Sequence, residues 1–156
     1  MKALRFEFLA DRPAALPLLA KWYFGEWGHL NPATSAERIA AKLSESMNRD
    51  SIPLVMLAIL DDQVIGSAEL KYREMTIYPE KEHWLGGVFV VPKHRGKGVA
   101  AQLIDAVVDT ARTLGVDMLH LQTERLDGGL YRKLGWQREE QVDYRGLEVL
   151  VMQRTL

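Results

Sequence analysis

Cysteine is absent from this chain of 156 residues. Its absence excludes a disulfide framework, a thiolate nucleophile and a cysteine-ligated zinc. Long apolar runs are missing too, and none approaches the roughly 18 to 20 residues of a membrane-spanning helix. The opening stretch MKALRFEFLADRP lacks the extended apolar region of a signal peptide. Charge of one sign is also lacking: the formal net charge is −1, so nothing global points to nucleic acid. No repeat, linker or low-complexity tract interrupts the chain. These absences predict a cytoplasmic protein with neither a membrane nor a nucleic-acid partner. What is present is an ordinary globular composition, 47% apolar and 26% charged, which argues against disorder. The length fits one domain over residues 1–156 and is enough to bury a core without staples.

Periodicity gives the order of elements. Leu4, Phe6 and Phe8 alternate with Arg5 and Glu7, which predicts a half-buried strand over 3–9. A helix should follow Asp11 and Pro13, with Pro17 confined to its first turn, and the aromatic-rich run after it should end by Gly28 and Pro32. Thr34 and Glu37 read as a capping box for a second helix carrying Ile39, Leu43 and Met47 on one face. The apolar run 52–60 predicts a buried strand, Asp61-Asp62 a tight turn, and 63–73 its hairpin partner. Another buried strand spans 83–91, and Gly86-Gly87 inside it predicts a bulge or a close approach of a ligand or backbone. A helix over 99–114 closes at Gly115. A strand over 116–123, a short helix over 127–134 and a hairpin of 136–143 with 147–154 around Arg145-Gly146 complete the chain.

The stretch VVPKHRGKGVAAQLI, residues 90–104, carries the strongest functional signal. It runs from an apolar strand through a basic, two-glycine turn into an apolar helix. Glycines let the chain curl tightly and let a ligand reach the backbone. The start of a helix adds unpaired N–H donors and partial positive charge. A pyrophosphate suits such a turn, and so does a plain solvated connection with lysines. A Walker loop does not fit, because Val99 follows Gly98 where lysine and a hydroxyl residue are needed. A dinucleotide fingerprint would need a third glycine within a parallel strand-helix-strand unit.

Arg95-Gly96-Lys97-Gly98-Val99-Ala100 resembles the Gln/Arg-x-x-Gly-x-Gly/Ala motif of the GNAT family of N-acetyltransferases. Val90 and Pro92 resemble its Val-x-Pro lead-in, and LYRKLGW, residues 130–136, is similar to its Tyr-x-x-Leu-Gly-Phe signature. The order of elements agrees over nearly the whole chain. The resemblance implies an α/β fold with a central mixed, mostly antiparallel sheet flanked by helices. It implies acetyl transfer from acetyl-coenzyme A to a primary amine of a small molecule or peptide. Cofactor contacts are expected at Val88, Phe89 and Val90, at Arg95, Gly96, Lys97, Gly98, Val99, Ala100 and Ala101, and at Tyr131.

The attacking amine must be neutral, although α-amino groups titrate near ~8 and lysine near ~10.4. A base must therefore take a proton, a donor must stabilise the tetrahedral oxyanion, and the leaving thiolate needs a proton. The resemblance assigns the oxyanion donor to a backbone N–H of Val88-Phe89-Val90 and the acid to Tyr131. For the base the chain departs from its relatives. Gly86 and Gly87 stand where many carry a glutamate, and Gln122 stands where others do. The asparagine that often helps hold the cofactor is missing. Glu124 and Asp127 are the candidates that remain, each also readable as an exposed loop carboxylate. His83 and His120 are weaker, and His120 fits a core histidine. Trp22, Glu26 and Trp27 are expected to line the acceptor cleft, beside Tyr23, with part of this aromatic cluster packing in the core. No metal is expected, and the chain should act as a monomer or homodimer. An acyl-coenzyme A sensor without catalysis and a protein amino-terminal acetyltransferase are the alternatives.

Overall fold

The computed structural model describes residues 3–156. β1 (Arg5–Phe8) is followed by two single 3₁₀ turns and α1 (Leu16–Trp27). Pro17 sits in the first turn of α1, where a missing N–H costs nothing. α2 (Ala36–Leu43) is capped by Ser35, whose side chain accepts from the Arg38 N–H at 3.1 Å. The cap is therefore one residue later than the expected Thr34, and Met47 falls beyond the helix. The shift follows from backbone geometry: Ser35 is extended (φ −152°, ψ 165°), as a capping residue must be.

Six further strands form from the expected segments: β2 (Leu54–Leu60), β3 (Gln63–Tyr72), β4 (His83–Val90), β5 (Met118–Thr123) and the pair β6 (Gln137–Tyr144) and β7 (Leu147–Thr155). Between them lie α3 (Val99–Thr113) and α4 (Gly129–Lys133). Asp61 and Asp62 both have positive φ, the requirement of a tight two-residue hairpin turn. Gly115 (φ +83°) ends α3 in the left-handed conformation that carbonyl capping favours.

The strands form one seven-stranded sheet in the order β1-β2-β3-β4-β5-β7-β6. Every neighbouring pair is antiparallel except β4 and β5. Both faces of the centre are covered, and β2 shows why its run is continuously apolar. Leu54, Met56 and Ala58 join the core beneath α3, while Val55, Leu57 and Ile59 join the core beneath α1 and α2. A smaller cluster of Met75, Trp84, Val149 and Val151 extends the layer on the β7 side. No helix of the described residues is long and apolar enough to cross a membrane.

Candidate active site

The site begins where β4 stops pairing. In the parallel pair, Trp84 registers with His120 and nothing beyond it does, so β4 and β5 diverge toward their C-terminal ends. On its other side β4 is bulged. Ser67 faces Phe89 but Glu69 faces Gly86, so two residues of β4, Gly87 and Val88, are spanned by Ala68 alone. Gly87 takes φ +57°, the left-handed conformation that such a bulge asks of a glycine. The expected bulge at Gly86-Gly87 is therefore present. Val91 donates its N–H to Ile65 O across to β3 at 2.9 Å. Alternation along the strand turns the N–H of Val90 toward the gap beside β5. Val88 lines the cavity, whereas the Phe89 and Val90 side chains are buried in the two opposite cores.

The glycine turn lies directly after β4. Gly96 (φ +75°) and Gly98 (φ +80°) are both left-handed, and a methyl group on either would meet nothing within 4 Å. The first main-chain bond of α3 runs from the Gln102 N–H to Gly98 O at 3.2 Å. The N–H groups of residues 96–101 make no hydrogen bond among the described residues. Two anionic phosphates need such a row of donors on open backbone, so the turn fits a pyrophosphate. The Arg95 guanidinium takes no part in it. Its Nε donates to Val90 O at 2.7 Å and it lies over the Phe89 ring, pinning the turn to the end of β4.

From the gap, a cavity of about 860 Å³ opens between α1, α2 and the β6–β7 hairpin. Tyr131 lines it from α4, its ring edge-on to Trp136 with centroids 6.2 Å apart. The Tyr131 hydroxyl has no hydrogen-bond partner among the described residues. Burial, helped by the charge of Glu74, pushes its pKa up to about 12.

Of the expected acceptor residues, Trp27 lines the cavity, tilted against Tyr23 at 5.3 Å. Trp22 instead stacks on Phe89 at 5.1 Å, and the exposed Glu26 lies outside the lining. Glu124 reaches the cavity from its exposed rim. Asp127 is engaged elsewhere. It pairs with Arg125 at 3.2 Å and accepts the Gly129 N–H at 2.9 Å, contacts that hold its carboxyl below the usual range. His120 is buried, 2.6 Å from Glu139 and packed on Trp84, while His83 lies against Tyr72. Neither histidine lines the cavity.

Sequence reasoning missed the polar face of β3. Ser67, Glu69 and Lys71 alternate along it. Ser67 is fully buried, with its Oγ 2.7 Å from the Tyr23 hydroxyl. Glu69 lies on the cavity floor directly over Gly87, where its carboxylate fills the space that a Cβ on Gly87 would need. Burial and then Glu74 push the Glu69 carboxyl above the usual carboxylate range, with Lys71 and Lys42 pulling against them. Lys71 binds Glu74 at 2.9 Å. Burial works against the Lys71 ammonium, but Glu74 and Glu69 outweigh it and hold the group charged.

Residues 13–136 match the model of the acetyltransferase (GNAT) family. Among solved structures, aminoglycoside 6'-acetyltransferase type Ii superposes with a TM-score of 0.73 at 19% identity, over 98% of this chain and 96% of that one. YncA of Salmonella typhimurium, solved with its cofactor acetyl-CoA, gives 0.77 at 21% identity, over 99% and 94%. Ribosomal-protein-alanine N-acetyltransferase from Brucella melitensis gives 0.72 at 24%, over 99% of both chains. Among curated proteins, none matches the sequence. At these identities the superpositions speak to the fold, a seven-stranded mixed sheet flanked by helices.

Proposed function

The chain belongs to the GNAT acetyltransferase family, and from that premise we propose that it transfers the acetyl group of acetyl-coenzyme A to a primary amine of a small molecule or peptide. The observation that carries this reading is continuity. Unbonded N–H groups at the Gly96–Gly98 turn lead, through the gap between β4 and β5, into a cavity holding Glu69 and Tyr131. The pyrophosphate rests on residues 96–101, and the pantetheine arm lies in the gap beside Val88, Phe89 and Val90. The acetyl carbonyl then faces the main-chain N–H of Val90, which points into the gap. A donor fixed there needs no reorganisation as the oxyanion forms.

Glu69 is the base this geometry supports best. It stands over the bulge, where its side chain fills the place left by Gly87. Its raised carboxyl is better matched to an amine than an ordinary one. It accepts the amine proton directly or through one water, and the neutral amine attacks the thioester carbon. The carbon–sulfur bond breaks, Tyr131 gives a hydrogen bond to the departing sulfur, and the proton that the nitrogen still carries passes to solvent as the amide forms. Glu124, at the rim, is the second candidate base. Residues 1–156 work as one catalytic unit in the cytoplasm, as a monomer or homodimer.

The test is coenzyme A release from acetyl-coenzyme A with peptides, polyamines, amino acids and aminoglycosides as acceptors. Release with one class and not the others supports the reading. A thermal shift with acetyl-coenzyme A but no release with any amine would instead favour a sensor. Peptide acceptors alone would favour an amino-terminal acetyltransferase.

A further inference from the structure

The cavity that holds Glu69 is lined by more cations than anions, although the chain as a whole has net charge −1. Two of these cations are accounted for: Lys71 pairs with Glu74 and Arg125 with Asp127. Arg38, Lys42 and Arg145 are not. All three are exposed, and none enters an ion pair among the described residues. They come from two separate elements. Arg38 and Lys42 are one turn apart on α2, and Arg145 sits at the tip of the β6–β7 hairpin, its guanidinium over the Tyr144 ring.

Like charges four residues apart weaken a helix by a few tenths of a kcal/mol. Here both members of such a pair face one cavity, and the third cation enters it from the hairpin. Of the carboxylates that line the cavity, Glu69 and the Lys71-paired Glu74 are part-buried, and Glu124 is the one at the exposed rim, where the three cations outnumber it. The field therefore has a direction, with an acidic floor at the reacting centre and a rim of net positive charge. An amine with a second positive group would be favoured at the floor and repelled at the rim. An amine whose other end is an anion is favoured at both.

We propose that the acceptor carries a carboxylate as well as the reactive amine, as an amino acid or a short amino-acid-like molecule does, and that Arg38, Lys42 and Arg145 hold that carboxylate. This inference rests on the acetyltransferase reading and narrows it to a substrate class. Polycationic acceptors such as aminoglycosides and polyamines are then disfavoured by the rim.

The experiment compares matched amines with and without the carboxylate, with coenzyme A release as readout. The pairs are L-phenylalanine with phenethylamine, L-methionine with 3-(methylthio)propylamine, and 6-aminohexanoate with hexylamine. The first two place the carboxylate beside the amine and the third places it at a distance. In at least one pair the carboxylated member should have a kcat/KM at least ten times that of its partner. The advantage should shrink about tenfold in the double variant Arg38→Gln/Lys42→Gln and return in Arg38→Lys/Lys42→Arg. It should also shrink between low salt and ~0.5 M salt, because the rim charges are exposed and screened. No pair in which the carboxylated member wins overturns the proposal, as does an advantage untouched by the double glutamine variant. Release from the amines without a carboxylate separates this failure from that of the acetyltransferase reading: the proposal fails where they are acetylated as fast as their partners, and the acetyltransferase reading fails where no amine gives release.

Discussion

Removing one oxygen from Tyr131 tests the chemistry most directly. Tyr131→Phe keeps the ring and its edge contact with Trp136 at 6.2 Å. It breaks no internal hydrogen bond, since the hydroxyl has no partner among the described residues. Stability should therefore change by less than about 0.5 kcal/mol. The pKa of about 12 decides what the hydroxyl does. Against a thiol near ~8.5, complete proton transfer to the leaving thiolate is uphill by about 3.5 units, or roughly 5 kcal/mol. A donated hydrogen bond needs no such transfer. Hydrogen bonds to charged groups contribute about 1.5–3 kcal/mol, which corresponds to roughly 10- to 150-fold in rate. We expect kcat to fall by about that factor while KM for acetyl-coenzyme A stays the same, since the lost interaction forms only as sulfur departs. The pH dependence sharpens the test. A hydroxyl that ionises only near 12 stays protonated at pH 6, 7.5 and 9, so the loss should be equal at all three. The assay is initial-rate coenzyme A release by both proteins across that range. An alkaline limb near pH 10 that vanishes in the variant would refute the burial argument. An unchanged kcat would remove Tyr131 from the chemistry, and a raised KM alone would make it a binding residue.

Acetyl-coenzyme A at 100 times its dissociation constant should stabilise the protein by roughly 2.7 kcal/mol, read as a rise in Tm; no shift at millimolar ligand would contradict the cofactor assignment. Gly98→Val finds open space but must adopt φ +80°, so we expect about 1–2 kcal/mol of destabilisation with the fold kept. Its side chain should block the pyrophosphate, and isothermal titration should show acetyl-coenzyme A affinity at least tenfold weaker; wild-type affinity would place the anion elsewhere. Glu69→Gln should lower kcat/KM by about 10²-fold or more. Because the Glu69 carboxyl is raised, its base form is lost as pH falls through a value above the usual carboxylate range. The acidic limb of the wild-type profile should lie there and disappear in the variant. The same loss in Glu124→Gln, with Glu69→Gln active, would transfer the base to Glu124. Ser35→Ala removes the cap of α2 and should cost about 1 kcal/mol, roughly 2–4 °C in Tm.

The parts that the sequence revealed and the parts that it hid differ in the range of interaction involved. β2, α3 and the glycine turn follow from neighbours within a dozen residues: a continuous apolar run, an apolar helical face closed by Gly115, and two glycines at a helix start. Gly86-Gly87 announced its bulge for the same reason, since backbone that must take positive φ selects glycine locally. The capping shift from Thr34 to Ser35 shows the limit of that logic, because two adjacent hydroxyl residues satisfy the same pattern and only the backbone decides.

Glu69 was hidden by something else. In QVIGSAELKYR, Ser67, Glu69 and Lys71 form the polar half of an alternating strand, which reads as a solvated face. β3 is the third of seven strands, however, and α1 and α2 cover that face. Ser67 is fully buried there, against Tyr23. A polar stripe in the middle of a doubly covered sheet has no water to face, so its groups must pair with one another or face a cavity. Ser67 takes the first course and Glu69 the second. One signal in the sequence pointed this way. The neighbouring run 54–59 is apolar at every position, which requires both faces of the sheet's centre to be buried. The partner of such a strand inherits that burial, so charged residues on it belong to a site before they belong to a surface. The register then adds what no periodicity contains. Glu69 faces Gly86 in the register, and its carboxylate lies where a side chain on Gly87 would stand. The missing side chain and the carboxylate in its place are thus two halves of one arrangement, joined only when β3 pairs with β4.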